Sequence, residues 1–168
     1  YIGVSGGAMN ITSYLSNQYK RNYDIIHSIG DEVNFISLLR YFKGEDIMDL
    51  DVLIEVANRN CPIDREKIDK RLSSSSFYSI ATNLETSEFV ILQPNNDGWY
   101  KSLKASSSIP IATHPIEING QKLIDGGLSQ PIPVEAAYNK GARRIIILRT
   151  HPIDYIHDWS LEKIYIPI

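Results

Sequence analysis

The chain has 168 residues, 43% of them hydrophobic and 22% charged, which is typical of one globular domain with a buried core. A net charge of -3 without a basic cluster argues against a protein that binds nucleic acid. No apolar run is long enough to cross a bilayer, and the single cysteine, Cys61, excludes an internal disulfide and fits a reducing, cytoplasmic location. We expect one domain over residues 1–168, with the segment after about residue 150 unassigned.

The first motif is Gly3-Val4-Ser5-Gly6-Gly7, a G-x-S-x-G sequence between a predicted strand end and a predicted helix. This arrangement is typical of a nucleophile elbow, in which a sharp turn exposes the serine hydroxyl. We expect Gly3 and Gly7 to allow the turn, and the Gly6 N–H at the helix N-terminus to stabilise a developing negative charge. The alternative is that Ser5 only caps the helix by accepting a backbone N–H.

The following part of the chain is predicted to be helical first and rich in strands afterwards. An apolar stripe predicts a helix that ends near Cys61, and Asp64 is expected to cap a second, short and charged helix. The serine run at residues 73–76 is predicted to be a solvated loop. Further elements are predicted as strands over residues 77–82 and 88–92, a turn over 95–98, and a short helix over 99–107.

Residues 116–124 are predicted to form a β-hairpin around Asn119-Gly120, the favoured pair for a type I′ turn. A two-residue loop brings opposite charges together on one face and aliphatic side chains on the other, as cross-strand pairing prefers. The predicted pairs are Ile118 with Gln121, Glu117 with Lys122, and Ile116 with Leu123.

The last predicted elements are a helix and a buried strand. The helix begins near Pro133 and ends at Gly141, which supplies a left-handed cap. Residues 145–148 are wholly apolar and are predicted to be a strand buried in a parallel sheet. Helices and strands therefore alternate at both ends of the chain, which predicts an α/β fold with a sheet covered by helices.

The second motif is Asp125 followed by Gly126 and Gly127, at the predicted end of the hairpin. No side chain on the next residues shields this carboxylate, although an Asx-type turn that bonds only its own backbone would have the same sequence. A serine hydroxyl needs an adjacent base to act as a nucleophile. Ser5 and Asp125 both lie in well-defined local structure and no histidine does, so we predict that their side chains are within hydrogen-bonding reach of each other.

Taken together, these motifs resemble the bacterial type of patatin-like phospholipases. The resemblance runs from the elbow to about Leu148. It implies a three-layer α/β/α fold with a mostly parallel central sheet. The segments that carry it are the elbow with Ala8 and Asn10, Ala105-Ser106-Ser107-Ser108-Ile109-Pro110, Asp125-Gly126-Gly127-Leu128, and Pro133-Val134-Glu135-Ala136-Ala137.

The resemblance also implies the chemistry, which is hydrolysis of lipid acyl esters by a Ser–Asp dyad that needs no histidine, metal or cofactor. Carried over by position, Ser5 is the nucleophile, Asp125 the base, and the Gly6 N–H an oxyanion donor. The implied partner is a lipid or acyl ester, a peripheral membrane contact is compatible with it, and the oligomeric state is left open.

The chain departs from this family pattern in two places. The glycine-rich loop that normally precedes the elbow and supplies most of the oxyanion hole is absent, so we expect that an N-terminal piece is missing. Loss of even one oxyanion donor costs on the order of 10²–10³ in turnover, so this chain alone is expected to be nearly inactive. Gln130 stands where relatives often carry Asn, which we expect to be tolerated.

Two alternatives to the dyad remain open. The order Ser5, Asp125, His151 matches the triad of an α/β-hydrolase esterase. The second alternative is a lipid-binding module that keeps the fold without the chemistry. His157 and its acidic neighbours are interpreted as solvated charges rather than as metal ligands, and His114 is a candidate for lining the pocket.

Overall fold

The computed structural model describes residues 1–30 and 35–150 and has an α/β architecture. The elements, in chain order, are β1 Ile2–Val4, α1 Gly6–Leu15, α2 Arg21–Gly30, α3 Leu38–Tyr41, α4 Leu50–Asn60, α5 Arg65–Leu72, β2 Tyr78–Asn83, β3 Phe89–Leu92, α6 Pro94–Asp97, α7 Trp99–Ser106, β4 Ile116–Ile118, β5 Gln121–Asp125 and α8 Val134–Asn139. A 3-10 turn over Gly126–Leu128 follows β5.

The sheet is mixed rather than mostly parallel. Strand β1 runs parallel to β2, whereas β3 and β5 run antiparallel to β2, and β4 runs antiparallel to β5. The physical reason is the length of the connections. Short links join β2 to β3 and β4 to β5, and such links can only produce antiparallel pairs, because a parallel pair needs a long crossover.

Strands β1 and β5 lie end to end along the same edge of β2. Ile80 of β2 pairs with Val4 of β1, and the next residue, Ala81, pairs with Asp125 of β5. Both Ile80 and Ala81 also pair with β3. A strand has only two edges, so β3 occupies one of them and β1 and β5 share the other. The C-terminal ends of β1 and β5 therefore meet between two adjacent residues of β2.

Helices cover both faces of the sheet and complete a three-layer α/β/α fold. On one face, the Ser79 hydroxyl donates to a carbonyl of α7. On the other face, the ammonium of Lys140, directly after α8, lies 4.8 Å from the centre of the Tyr78 ring. Successive strand residues point to opposite faces, so α7 and α8 lie on opposite sides. No helix in the described ranges combines the length and the apolar character of a membrane span.

The core beside α7 is built by α1, α5 and α7 together. Their buried side chains pack against Phe77, at the start of β2, and each such burial contributes about 1.5–3 kcal/mol for a large apolar group. This packing fixes α1, and with it the turn at its N-terminus, against the sheet. The buried members of the cluster are Ala8, Leu15, Ile68, Phe77, Trp99 and Leu103.

The predicted hairpin is confirmed in its register. Strands β4 and β5 pair as Ile116 with Leu123, Glu117 with Lys122 and Ile118 with Gln121. Asn119 and Gly120 both have positive φ, as a type I′ turn requires. The predicted cap at Asp64 is also confirmed, since its carboxylate accepts the Lys67 N–H at 3.1 Å.

The predicted strand over residues 145–148 is wrong. Of the predicted turn over residues 95–98, residues 95–97 belong to the short helix α6 and Gly98 follows it. An apolar run becomes a strand only where a partner edge accepts its hydrogen bonds, and no described strand pairs with this run. Ile146 and Leu148 are instead 91% and 94% exposed. The segment after residue 150 lies outside the described residues.

Candidate active site

Ser5 occupies a strained turn between β1 and α1. Its φ of 51° and ψ of -126° lie in a region that residues with a Cβ rarely adopt. Its side chain makes no capping hydrogen bond to α1, so the interpretation of Ser5 as a simple helix cap is wrong. The strain is typical of positions where a side chain must be held in one direction for function.

The glycines of the elbow have different surroundings. A Cβ at Gly3 would lie 2.6 Å from the Cα of Ala8, so the tight approach of β1 and α1 requires a glycine there. A Cβ at Gly6 or Gly7 would meet no atom of the described residues within 4 Å. The turn therefore does not need a glycine at Gly7. Gly6 begins α1, so its N–H is one of the amides that a helix cannot pair internally.

Asp125 is held by regular backbone structure at the end of β5. Its N–H donates to the Ser108 carbonyl at 2.8 Å, and its own carbonyl accepts the Thr82 hydroxyl at 2.8 Å. The carboxylate accepts the Gly127 N–H at 2.7 Å, which is the Asx-type turn considered above. The residue is only 8% exposed, so it is largely shielded from solvent.

The fold brings the two predicted site residues together, since the Ser5 side chain lies near enough to the Asp125 carboxylate to lower the pKa of that carboxyl. Burial raises the pKa of the Asp125 carboxyl above its ordinary value. The Ser5 side chain and the Gly127 N–H offset part of that rise. A carboxylate with a raised pKa is a stronger proton acceptor than an exposed one. The Asx-type turn and the contact with the serine therefore coexist.

The meeting of the two residues follows from the shared edge of β2. Strand β1 ends at Val4 opposite Ile80, and β5 ends at Asp125 opposite Ala81. Because the two strands approach each other along one edge of β2, each must turn away from the sheet at that point. A Cβ at Gly126 would lie 2.2 Å from the Ile80 carbonyl oxygen, so only glycine fits at this turn. Gly126 therefore lets β5 end in contact with β2.

Three residues that position the pair had no role in the sequence analysis. The Ser5 N–H donates to the Ser106 hydroxyl at 2.9 Å, and that hydroxyl donates to the Ile80 carbonyl at 2.6 Å. Ser108 and Thr82 hold the backbone of Asp125 from two sides. The sequence signal for Ser106 and Ser108 was the Ala-Ser-Ser-Ser-Ile-Pro segment, on which the family resemblance partly rests. The sequence does not show which of its serines would contact the site.

The histidines of the described residues lie in other surroundings. His27 is exposed, and its ring contacts the Tyr23 ring in a tilted arrangement. His114 is exposed and hydrogen-bonds Asp46, so it does not act as the pocket-lining residue we expected. His151 and His157 lie outside the described residues. Over residues 1–30 and 35–150, no group of three or more His, Cys, Asp and Glu side chains is arranged to hold a metal ion.

Comparison with known proteins places both site residues inside one matched region. Residues 1–138 match the family model of the patatin-like phospholipases. The uncharacterized protein YjjU of Escherichia coli K12 is 29% identical over 154 residues, which are 90% of this chain and 43% of YjjU. The chain thus spans less than half of the length of this relative.

Proposed function

The chain belongs to the patatin-like phospholipase family, and we propose that it hydrolyses lipid acyl esters with Ser5 as nucleophile and Asp125 as base. Membership of this family implies a lipid acyl hydrolase. The observation that supports the two named residues is the approach of the Ser5 side chain to the buried Asp125 carboxylate, where β1 and β5 end side by side on β2. Geometry of this kind is what direct general-base activation of a serine requires.

The proposed reaction has two halves. In the first, the Ser5 oxygen attacks the ester carbonyl carbon while its proton moves to Asp125. The carbon–oxygen bond to the alcohol then breaks, the alcohol takes the proton from Asp125, and an acyl-enzyme remains. In the second half, water attacks the acyl carbon and gives a proton to Asp125, and the fatty acid leaves as Ser5 recovers its proton.

Two features of the elbow favour this chemistry. The strained backbone at Ser5 directs its side chain towards Asp125 instead of towards the amides of α1. The start of α1 carries unpaired N–H groups and the positive end of the helix dipole, so the Gly6 N–H is suited to stabilise the oxyanion. The first contribution positions the nucleophile before the reaction, and the second acts on charge that develops as the ester carbonyl is attacked.

The proposal is tested by labelling the full-length gene product with a serine-directed fluorophosphonate. We expect wild type to be labelled at Ser5, with fluoride as the leaving group, and S5A to remain unlabelled. S28A is the matched control, because Ser28 is a hydrogen-bonded serine of α2, and it should be labelled like wild type. Labelling of S5A at the wild-type rate would show that another residue is the nucleophile.

A lack of both labelling and ester hydrolysis in wild type would favour the non-catalytic lipid-binding alternative. The triad alternative is tested by H151A in the same protein. The dyad predicts that H151A retains most of the activity, whereas a triad predicts a loss on the order of 10²–10⁴.

A further inference from the structure

We propose that Ser106 is a positioning residue that holds the Ser5 turn against β2, an inference that rests on the proposed function of Ser5. Its hydroxyl accepts the Ser5 N–H at 2.9 Å and donates to the Ile80 carbonyl at 2.6 Å. The side chain is completely buried, at the last residue of α7. Ser106 therefore acts on Ser5 through its backbone and from the interior of the protein.

The backbone geometry explains why a hydroxyl is needed at this point. Beyond Val4 the chain leaves the edge of β2, so the Ser5 N–H has no partner in the sheet ladder. The Ser5 N–H is partly buried, where loss of its partner carries a cost, and an aliphatic side chain could not supply an acceptor. A hydroxyl both donates and accepts, so Ser106 satisfies the Ser5 N–H and the Ile80 carbonyl together.

The same segment also contacts the base. Two residues after Ser106, the Ser108 carbonyl accepts the Asp125 N–H at 2.8 Å. The Ile80 carbonyl that Ser106 contacts is also the atom that a Cβ at Gly126 would strike. The end of α7 therefore holds the backbones of nucleophile and base to one place on β2, so movement of Ser106 changes the position of Ser5 relative to Asp125.

The chain offers two matched controls for a substitution at Ser106. The hydroxyls of Ser102 and Ser107 are also buried, but neither has a hydrogen-bond partner in the described part of the protein. Ser102 lies one turn earlier on α7, and Ser107 is the next residue after the helix. S102A and S107A remove the same atom from the same region without removing a bond to Ser5.

The experiment compares these variants in the full-length gene product by the rate of fluorophosphonate labelling per folded molecule. A misplacement near 1 Å can cost about 10²-fold, so we expect S106A to be labelled roughly 10- to 100-fold more slowly. S102A and S107A should stay within about 2-fold of wild type. S106C, with a weak donor of similar size, should be intermediate. For ester hydrolysis, the loss in S106A should fall on kcat rather than on KM.

Two outcomes would overturn the proposal. One is a folded S106A that is labelled at the wild-type rate, even with a lowered melting temperature, because a purely structural role lowers stability alone. The other is an unchanged rate of amide hydrogen exchange at Ser5 in S106A, where we expect an increase of about 10-fold or more. The exchange measurement does not need catalysis. If wild type is not labelled, the proposed function fails, and exchange at Ser5 still decides whether Ser106 holds the turn.

Discussion

The two turns that carry the site differ in how they hold their functional side chains, although both leave the same edge of β2. Ser5 has a backbone conformation that is rare for a residue with a Cβ, and a side-chain hydroxyl satisfies its N–H. Asp125 has an extended backbone with φ of -50° and ψ of 130°, and it ends a regular strand. The turn at Ser5 therefore carries backbone strain, whereas the turn at Asp125 continues from a regular strand without it.

The glycines of the two turns fall into two groups, according to whether a Cβ would meet backbone atoms. Gly3 and Gly126 lie where a Cβ would collide with backbone atoms, so they are required by the approach of chain to chain. Gly6 and Gly7 have open space at the Cβ position, and a Cβ at Gly127 would lie 3.0 Å from an Asp125 carboxylate oxygen. One glycine in each turn is thus required by close backbone contact, whereas a Cβ at Gly127 would meet only a side chain and one at Gly6 or Gly7 would meet nothing within 4 Å.

The largest effect is expected from replacing Ser5, the proposed nucleophile in the strained turn. S5A and S5G should both lose hydrolysis and labelling by about 10³-fold or more, because the acyl-enzyme cannot form. In stability they should differ, since glycine adopts the conformation of Ser5 without strain. Relief of the backbone strain stabilises the folded state by about 1–3 kcal/mol, and the greater chain entropy of an unfolded glycine offsets part of this gain. The free energy of unfolding of S5G should therefore be about 1 kcal/mol higher than that of S5A. Equal unfolding free energies in urea would contradict the strain.

The next largest effect is expected on kcat when Asp125, the proposed base, is replaced. D125N keeps the shape of the side chain but cannot accept the serine proton, so kcat should fall on the order of 10²–10⁴. A control for folding is the far-UV circular dichroism spectrum, which should match that of wild type. A D125N protein with wild-type kcat would exclude Asp125 as the base.

The same variant tests the pKa of Asp125. Because burial raises this pKa in the folded state, the folded protein holds its proton over a pH window in which the unfolded chain has lost it. Unfolding free energy should therefore fall as pH rises from the ordinary aspartate pKa through the raised one. D125N lacks this loss, so its stability relative to wild type should increase across that window and stay constant above it. Parallel curves in urea denaturation would contradict the raised pKa.

A smaller effect, on stability, separates the glycines of the second turn. G126A should destabilise the protein by about 3 kcal/mol, because its Cβ would overlap a fixed carbonyl of β2. G127A is the matched control and should cost less, since its Cβ contacts only the Asp125 carboxylate. Thermal unfolding of the two variants measures the difference, and equal melting temperatures would show that β5 does not approach β2 as described.

The smallest effect is expected at Gly7. This residue lies inside α1 with open space around it, so G7A should stabilise the helix by up to about 1 kcal/mol. G3A, four residues earlier, should instead destabilise, because its Cβ would meet the backbone of α1. Chemical denaturation of both variants gives the comparison, and a destabilised G7A would restore the role that the sequence suggested for this glycine.

Features that involve residues close together in the sequence were predicted best. The hairpin register and the Asp64 cap depend on residues next to each other, so turn chemistry and charge pairing were sufficient. The contact of Ser5 with Asp125 was predicted because a serine needs a base and two motifs were available. The shared edge at Ile80 and the double hydrogen bond of Ser106 arise from tertiary packing, which no local pattern contains.

The prediction of a strand at residues 145–148 was wrong for the same reason, because strand pairing also depends on tertiary structure. An apolar run shows that a segment can be buried, and the sheet decides whether a place exists for it. In the described residues no strand pairs with this run, and its composition alone could not show that.

The end-to-end arrangement of β1 and β5 has a consequence for thermal motion. Ser5 and Asp125 follow strands that end at neighbouring residues of β2, so we expect bending or twisting of the sheet to move the two residues together. The distance between them should then change mainly when one of the two turns moves on its own.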